Sequence, residues 1–187
     1  MVSLLVQQDG NDMYSAFSAV RLMIGRPNIG GAKAWETVLK IPGQRFGDSR
    51  SATEAIELIR SELTALEADG VLDGEWVLSI PPSDSNGFAI DLLQNAEPKT
   101  IRCLFGMLEQ EFATLDEALV WVRLALSTSY QLRITSFGEQ PKLWRLEPVD
   151  AASGAAALEM GHGVPFFWRG RKRSDVKRNS LPPDCEA

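Results

Sequence analysis

Histidine and cysteine are scarce in this sequence of 187 residues, which holds one histidine and two cysteines. A zinc site needs several such ligands at short spacing. We predict no metal site, because the candidate ligands are few and far apart in the sequence: His162, Cys103 and Cys185. Two distant cysteines also make no disulfide framework. Cys103 lies in an apolar run and is predicted to be buried, which fits a reducing compartment. We therefore expect a cytoplasmic protein that holds neither a metal nor a cofactor.

Long apolar runs are also absent. No stretch approaches the roughly 20 apolar residues of a membrane-spanning helix, and the first residues lack the basic stretch of a signal peptide. We therefore expect no contact with a membrane. The hydrophobic share of 44% is that of a folded globular protein, and the length suffices for one domain.

Charge is distributed unevenly along the chain. Residues 164–187 hold six Lys or Arg and three Asp or Glu, whereas residues 1–163 hold 13 and 22. The two segments therefore carry net charges of +3 and −9. An acidic body with a basic tail predicts an electrostatic contact with a partner.

Residues 1–47 are predicted to form a helical lead-in. A helix that starts at Asn11 or Asp12 and runs to residue 24 is favoured by apolar residues at helical spacing, namely Tyr14, Phe17, Val20 (or Arg21) and Ile24. A second helix is predicted over residues 32–40, where Pro42 would end it.

Two further helices are predicted from capping boxes. Ser51 is followed three positions later by Glu54, and Thr114 by Glu117, each ahead of an apolar helical pattern. The predicted helices run to residues 69–70 and to about residue 128.

Strands are predicted over residues 75–80, 88–94, 101–112, 131–137 and 143–149, the last two joined as a hairpin. The predicted fold class is therefore α+β, with a mainly antiparallel five-stranded sheet (β-β-β-α-β-β) and packed helices.

One domain is expected over residues 1–163, with the lead-in at 1–47 and the core at 51–150. Residues 151–160 would form a short helix or a linker, and residues 164–187 the basic tail.

The tail is the strongest functional signal in the sequence. Its aromatic and basic residues predict partner binding: Trp168, Arg169, Arg171, Lys172, Arg173, Lys177 and Arg178. Cations neutralise phosphates and aromatic rings stack on bases, so a nucleic-acid contact through residues 168–178 is an alternative. Another alternative is that the tail docks on the acidic body of the protein itself.

A short segment around Ser49 supports an enzymatic alternative. The run Gly47-Asp48-Ser49 resembles the first block of the GDSL/SGNH hydrolases, in which the serine is the nucleophile. Residues 159–162, Glu-Met-Gly-His, are similar to the Asp-x-x-His block of that family. The resemblance implies a serine hydrolase that uses Ser49 and His162, built on a parallel sheet.

The predicted order of elements over residues 51–160 looks like that of class I type III secretion chaperones, which hold an extended partner segment. We expect a non-catalytic macromolecular interaction protein, not an enzyme: an adaptor, a chaperone-like holder or an inhibitor. Its partner is expected to be a protein, and an exposed sheet edge also leaves a homodimer open.

Overall fold

The computed structural model describes residues 19–27, 33–42, 49–82, 84–95, 100–138, 140–161 and 172–181. Within these ranges the chain forms ten strands and two α-helices. In chain order these are β1 Ala19–Pro27, β2 Lys33–Pro42, α1 Ala52–Ala68, β3 Trp76–Ile80, β4 Ile90–Gln94, β5 Ile101–Phe105, β6 Leu108–Phe112, α2 Leu115–Leu126, β7 Tyr130–Phe137, β8 Gln140–Pro148, β9 Leu158–Gly161 and β10 Lys172–Lys177. Among the described residues, no helix is long and apolar enough to cross a membrane.

The strands form two antiparallel sheets, so the prediction of one five-stranded sheet is wrong. The larger sheet has six strands in the order β2-β1-β3-β4-β5-β6, and the smaller has four in the order β10-β7-β8-β9. The predicted hairpin over residues 131–149 is present as β7 and β8, but it belongs to the second sheet. Strands β6, β8 and β9 contact one another where the two sheets meet.

The predicted N-terminal helical lead-in is also wrong where the structure describes it. Residues 19–27 and 33–42 are strands β1 and β2, which pair with each other, and β1 also pairs with β3. Val20, Leu22 and Ile24 of β1 are buried and alternate with half-buried residues, a pattern that a strand places on one face. Ala19, the first residue of the strand, is buried as well. Val20 and Ile24 satisfy helical spacing as well, which explains the error. Residues 11–18 of the predicted helix lie outside the described residues.

The predicted strand over residues 101–112 is a hairpin of two strands, β5 and β6. Gly106 has a φ of +61°, a left-handed conformation that turns the chain between Phe105 and Leu108. Residues 151–160, expected to be a helix or a linker, form a 3₁₀ turn at Ala151–Ser153 followed by β9.

Both predicted capping boxes are confirmed. The Ser51 hydroxyl accepts a hydrogen bond from the Glu54 N–H at 3.2 Å, and the Thr114 hydroxyl accepts one from the Glu117 N–H at 3.2 Å. The glutamate carboxylates reach back one residue further than a standard capping box. They accept from the backbone N–H groups of the residues before the caps, Arg50 at 2.6 Å and Ala113 at 3.2 Å.

The hydrophobic core lies between the two helices and the sheets. Helix α2 contacts α1, the β5–β6 hairpin and β7, so it connects both sheets to the core. Trp76 and Phe105 are among the largest side chains buried there. Cys103 is fully buried, as predicted, and its burial raises the pKa of the thiol to about 12.

Candidate partner-binding surface

The structure describes four of the seven residues predicted to bind a partner. These are Lys172, Arg173, Lys177 and Arg178. The other three lie outside the described residues: Trp168, Arg169 and Arg171. The basic run is therefore, in part, an ordered strand of the smaller sheet.

Strand β10 lies at one edge of that sheet. It pairs with β7 in an antiparallel register that runs from Lys172 opposite Phe137 to Lys177 opposite Leu132. In the described part of the chain, no strand pairs with the other edge of β10. The side chains of residues 172–175 are exposed. The edge therefore offers backbone N–H and C=O groups together with basic side chains.

Pairing with β7 places the basic side chains of this segment on two opposite faces. Successive side chains of a strand alternate, so Lys172 and Ser174 share one face while Arg173 and Lys177 share the other. The Arg133 guanidinium donates to the Ser174 hydroxyl at 3.4 Å, which identifies the first face as the one that carries Arg133. The basic run is thus not a single cationic patch.

A polar network covers the Arg133 face of the smaller sheet. Glu147 accepts a hydrogen bond from the Arg133 Nε at 2.6 Å and another from the Gln131 amide at 3.0 Å. Gln131 in turn accepts from both the Nε and an Nη of Arg178, at 3.2 and 2.7 Å. The Arg145 Nε lies 3.4 Å from Glu147. Two arginines therefore contact the Glu147 carboxylate directly, and Arg178 is joined to it through Gln131.

Glu147 titrates below its ordinary range. Its partial burial raises the pKa, but hydrogen bonds from Arg133 and Gln131 and the charges of Arg133 and Arg145 outweigh this effect, so the pKa is lowered. The carboxylate is therefore charged at neutral pH and holds the arginines in place. Arg133, Arg145 and Arg178 outnumber the two carboxylates of this face, Glu147 and Glu159, so the face remains basic.

The residues after β10 fix the strand to the rest of the protein. Asn179 is 1% exposed, and its side-chain amide bonds to both the N–H and the C=O of Phe88, each at 3.2 Å. The same amide donates to the Ala125 carbonyl at 3.2 Å. Leu181 is buried and exchanges backbone hydrogen bonds with Leu126 and Thr128. The basic edge is therefore held rigidly on the body.

Comparisons with known proteins give no family for this chain. No family model, curated protein or solved structure matches it. A function for the chain therefore has to be argued from its own residues.

The enzymatic alternative depends on a residue that the structure does not describe. Ser49 lies just before the α1 cap, but His162 lies outside the described residues, so their separation is not defined. Within each described sheet, every pair of neighbouring strands is antiparallel. The parallel sheet that a GDSL/SGNH resemblance implies is therefore not the arrangement of these strands.

The sequence prediction missed the residues that organise this surface, chiefly Gln131, Arg133, Arg145, Glu147 and Asn179. A signal for four of them is present, because these polar residues alternate with Leu132 and Leu146 along two predicted strands. The pairing of β7 with β10 joins residues about 40 positions apart, as in the Arg133–Ser174 contact, which has a separation of 41. Local periodicity does not predict such a pairing.

Proposed function

We propose that this chain is a non-catalytic protein-binding module that takes an acidic, extended segment of a partner protein along β10. The observation that carries the proposal is the edge of β10 that faces away from β7, which is exposed, basic and firmly anchored to the body. No strand in the described ranges covers this edge. A partner segment would add a strand to the smaller sheet.

The edge explains why the partner segment is extended. Backbone groups on an open strand edge are satisfied by another strand, and the resulting hydrogen bonds give affinity without requiring a specific sequence. Asn179 and Leu181 order β10 before any partner arrives, so binding does not have to order the receiving strand.

The charges explain why the partner segment is acidic. Residues 172–177 carry Lys172, Arg173 and Lys177 against the single carboxylate of Asp175. Opposite charges on facing strands stabilise a pair and like charges destabilise it. The acidic remainder of the chain would repel the same segment elsewhere, which confines the contact to this edge.

A second copy of β10 suits this edge poorly. An antiparallel, symmetric pairing centred between Ser174 and Asp175 would place Lys172 of one copy opposite Lys177 of the other. A homodimer would therefore use a different edge, such as β2, the outermost strand of the larger sheet.

The proposal is tested by fluorescence anisotropy with a labelled peptide that alternates Glu with Val and Thr, and with a matched peptide that carries Lys in place of Glu. We expect the acidic peptide alone to bind, and the Lys172→Glu/Arg173→Glu variant to bind it about tenfold more weakly. The matched control is Lys40→Glu/Arg50→Glu, which makes the same charge change at exposed positions away from β10. If both variants weaken binding equally, binding depends only on the net charge of the protein and not on β10, and the proposal is refuted.

Labelled single-stranded and duplex nucleic acids form the second arm of the same experiment. If these bind and the acidic peptide does not, the nucleic-acid alternative replaces the proposal. On duplex DNA its signature is a log–log salt slope of about −0.9 per neutralised phosphate. Loss of that binding in Lys172→Glu/Arg173→Glu would assign it to β10.

A further inference from the structure

The larger sheet has an outer face, which lies opposite the face that it buries in the core. Along β1 and β3 to β5, buried residues alternate with half-buried ones, so the half-buried side chains share the outer face. These include four apolar residues that lie outside the hydrophobic core and outside the side chains packed against it: Met23, Val77, Leu93 and Leu104. A sheet face that meets only water usually carries polar residues at such positions. The outer face therefore has the composition of a contact surface.

The apolar residues of the outer face lie next to one another. Val77 of β3 is directly opposite both Met23 of β1 and Leu93 of β4. Trp35 of β2 extends this row, because it is opposite Gly25 and its ring lies 3.4 Å from where a Cβ of Gly25 would stand. The Trp35 side chain is 47% exposed. Four neighbouring strands therefore share one apolar patch, and such patches mark interaction sites on folded proteins.

Two cations flank the patch on one side without a matching carboxylate. Arg21 of β1 is directly opposite Lys40 of β2, on the same face as Met23. Like charges directly opposite each other destabilise a sheet. Neither side chain forms an ion pair within the described part of the chain. A second molecule that brings carboxylates to this side would relieve the repulsion.

Two carboxylates flank the patch on the opposite side. Glu109 and Glu111 of β6 are exposed, and because they are two positions apart both lie on the outer face. Glu109 pairs with Arg102 at 3.1 Å, whereas Glu111 forms no ion pair with another described residue. The outer face therefore runs from cations at β1 and β2, across apolar residues, to carboxylates at β6.

This order of charges is self-complementary, and we infer that the outer face binds a second copy of the chain. Two sheets pack face to face with nearly aligned strands. A two-fold axis parallel to the strands, between β3 and β4, sets β2 of one copy against β6 of the other. Lys40 of each copy then meets Glu109 and Glu111 of the other, and Val77 meets Leu93. A two-fold axis that runs across the strands would instead set Lys40 of one copy against Lys40 of the other, where like charges repel.

The same arrangement matches the polar residues at the centre of the face. Ser79 of β3 is directly opposite Asp91 of β4, and their side chains share a hydrogen bond. The two-fold axis brings Ser79 of the second copy over the same carboxylate, which supplies Asp91 with another hydrogen-bond donor in the interface. Polar residues therefore meet polar residues, and apolar residues meet apolar residues.

The area of the outer face sets the strength of the dimer. Six strands about 4.8 Å apart, each contributing roughly five residues, make a face of about 500 Å². Two copies would bury about 1,000 Å² in total, the lower end for a specific contact, so we expect a Kd of roughly 10 to 100 µM. Strand β10 belongs to the other sheet and its edge stays open, so this inference does not depend on the proposed function.

Sedimentation equilibrium of the full chain, at concentrations from about 1 to 300 µM, tests for the dimer. We expect a monomer–dimer equilibrium in that range. A chain that stays monomeric throughout would overturn the inference and leave the outer face to another protein or to another segment of this chain.

A charge exchange tests the two-fold arrangement. Lys40→Glu sets carboxylates against carboxylates twice in each dimer and is expected to raise the Kd about tenfold. Lys40→Glu/Glu111→Lys restores opposite charges and is expected to return the Kd to within about threefold of its original value. The control, Lys172→Glu, makes the same charge change on β10 and is expected to leave the Kd unchanged. Equal weakening by Lys172→Glu, or no recovery in the double variant, would overturn the inference.

The apolar centre is tested with side chains of matched shape. Val77→Thr replaces a methyl group by a hydroxyl and is expected to raise the Kd about tenfold, because the interface buries that hydroxyl twice. The control, Val149→Thr, makes the same change at a side chain that is 39% exposed and lies outside the larger sheet. A dimer that forms unchanged with both Val77→Thr and Lys40→Glu uses another surface, and this result would also overturn the inference.

Discussion

The side-chain amide of Asn179 bonds to both backbone polar groups of Phe88, a residue 91 positions earlier in the chain. The amide thereby takes the place of a neighbouring strand for Phe88, just before β4. It also ties the segment after β10 to the carbonyl of Ala125 near the end of α2. One buried amide therefore links the smaller sheet, the larger sheet and a helix.

Asn179→Ala is expected to lower the free energy of unfolding by about 3 kcal/mol, because it leaves three buried backbone groups without partners. Chemical denaturation measures this change. Asn86→Ala is the control, since the Asn86 side chain is exposed and only its backbone contacts Arg178. A loss below about 1 kcal/mol for Asn179→Ala would show that the amide does not anchor β10.

Gly106→Ala is expected to destabilise the protein by about 1 to 2 kcal/mol, since a non-glycine residue is strained at a left-handed φ. The φ is +61°, and a Cβ at this position would lie 3.1 Å from the Cδ2 of Leu132. Gly74→Ala is the matched control, because a Cβ there meets no atom within 4 Å. Equal stability of the two variants would rule out a strained turn between β5 and β6.

Glu147→Gln is expected to cost about 1 to 2 kcal/mol at neutral pH, through loss of charge-assisted hydrogen bonds. The folded-state pKa of Glu147 is lowered, so its stabilisation is present above the ordinary value of 4.5 and is lost as the pH falls through the folded-state pKa. Denaturation at a series of acidic pH values should show the two proteins converging. Glu111→Gln, at an exposed glutamate of β6 outside this network, serves as the control. A difference that stays constant down to low pH would contradict the charge network.

Asp91 should show the opposite pH dependence. Burial raises its pKa, and a hydrogen bond with Ser79 only partly offsets this, so ionisation of Asp91 destabilises the folded state as the pH rises. Asp91→Asn is therefore expected to be more stable than the natural protein at neutral pH, by about 1 kcal/mol. The gain should shrink as the pH falls to the ordinary value of 3.8 and below. A variant that is less stable at neutral pH would show that the carboxylate is needed in its charged form.

Short sequence motifs correctly predicted the features that depend on contacts between residues close together in the chain. The caps at Ser51 and Thr114 are formed by side chains within a few residues of the helix start, so a short motif suffices to predict them. The helix predicted over the residues of β1 was wrong because Val20 and Ile24 fit the spacing of both a helix and a strand. Only the pairing of β1 with β3 decides between the two structures. That partner follows a helix of 17 residues and is invisible to local periodicity.

The surface was predictable only in part for the same reason. A run of cations around Lys172 stands out in the sequence, but its division between two faces follows from pairing with β7. In the sequence, Asn179 is an ordinary polar residue beside that run, and nothing local indicates that it is buried. Its burial results from contacts with Phe88 and Ala125. Long-range pairing therefore decides which of these side chains a partner would meet.

Backbone amide hydrogen exchange over β10, with and without the acidic peptide, tests the proposed strand addition most directly. If the peptide adds to the sheet, amides within residues 172–177 should exchange more slowly in its presence, while those of β2 should be unchanged. Binding of the peptide without any new protection in β10 would contradict the account.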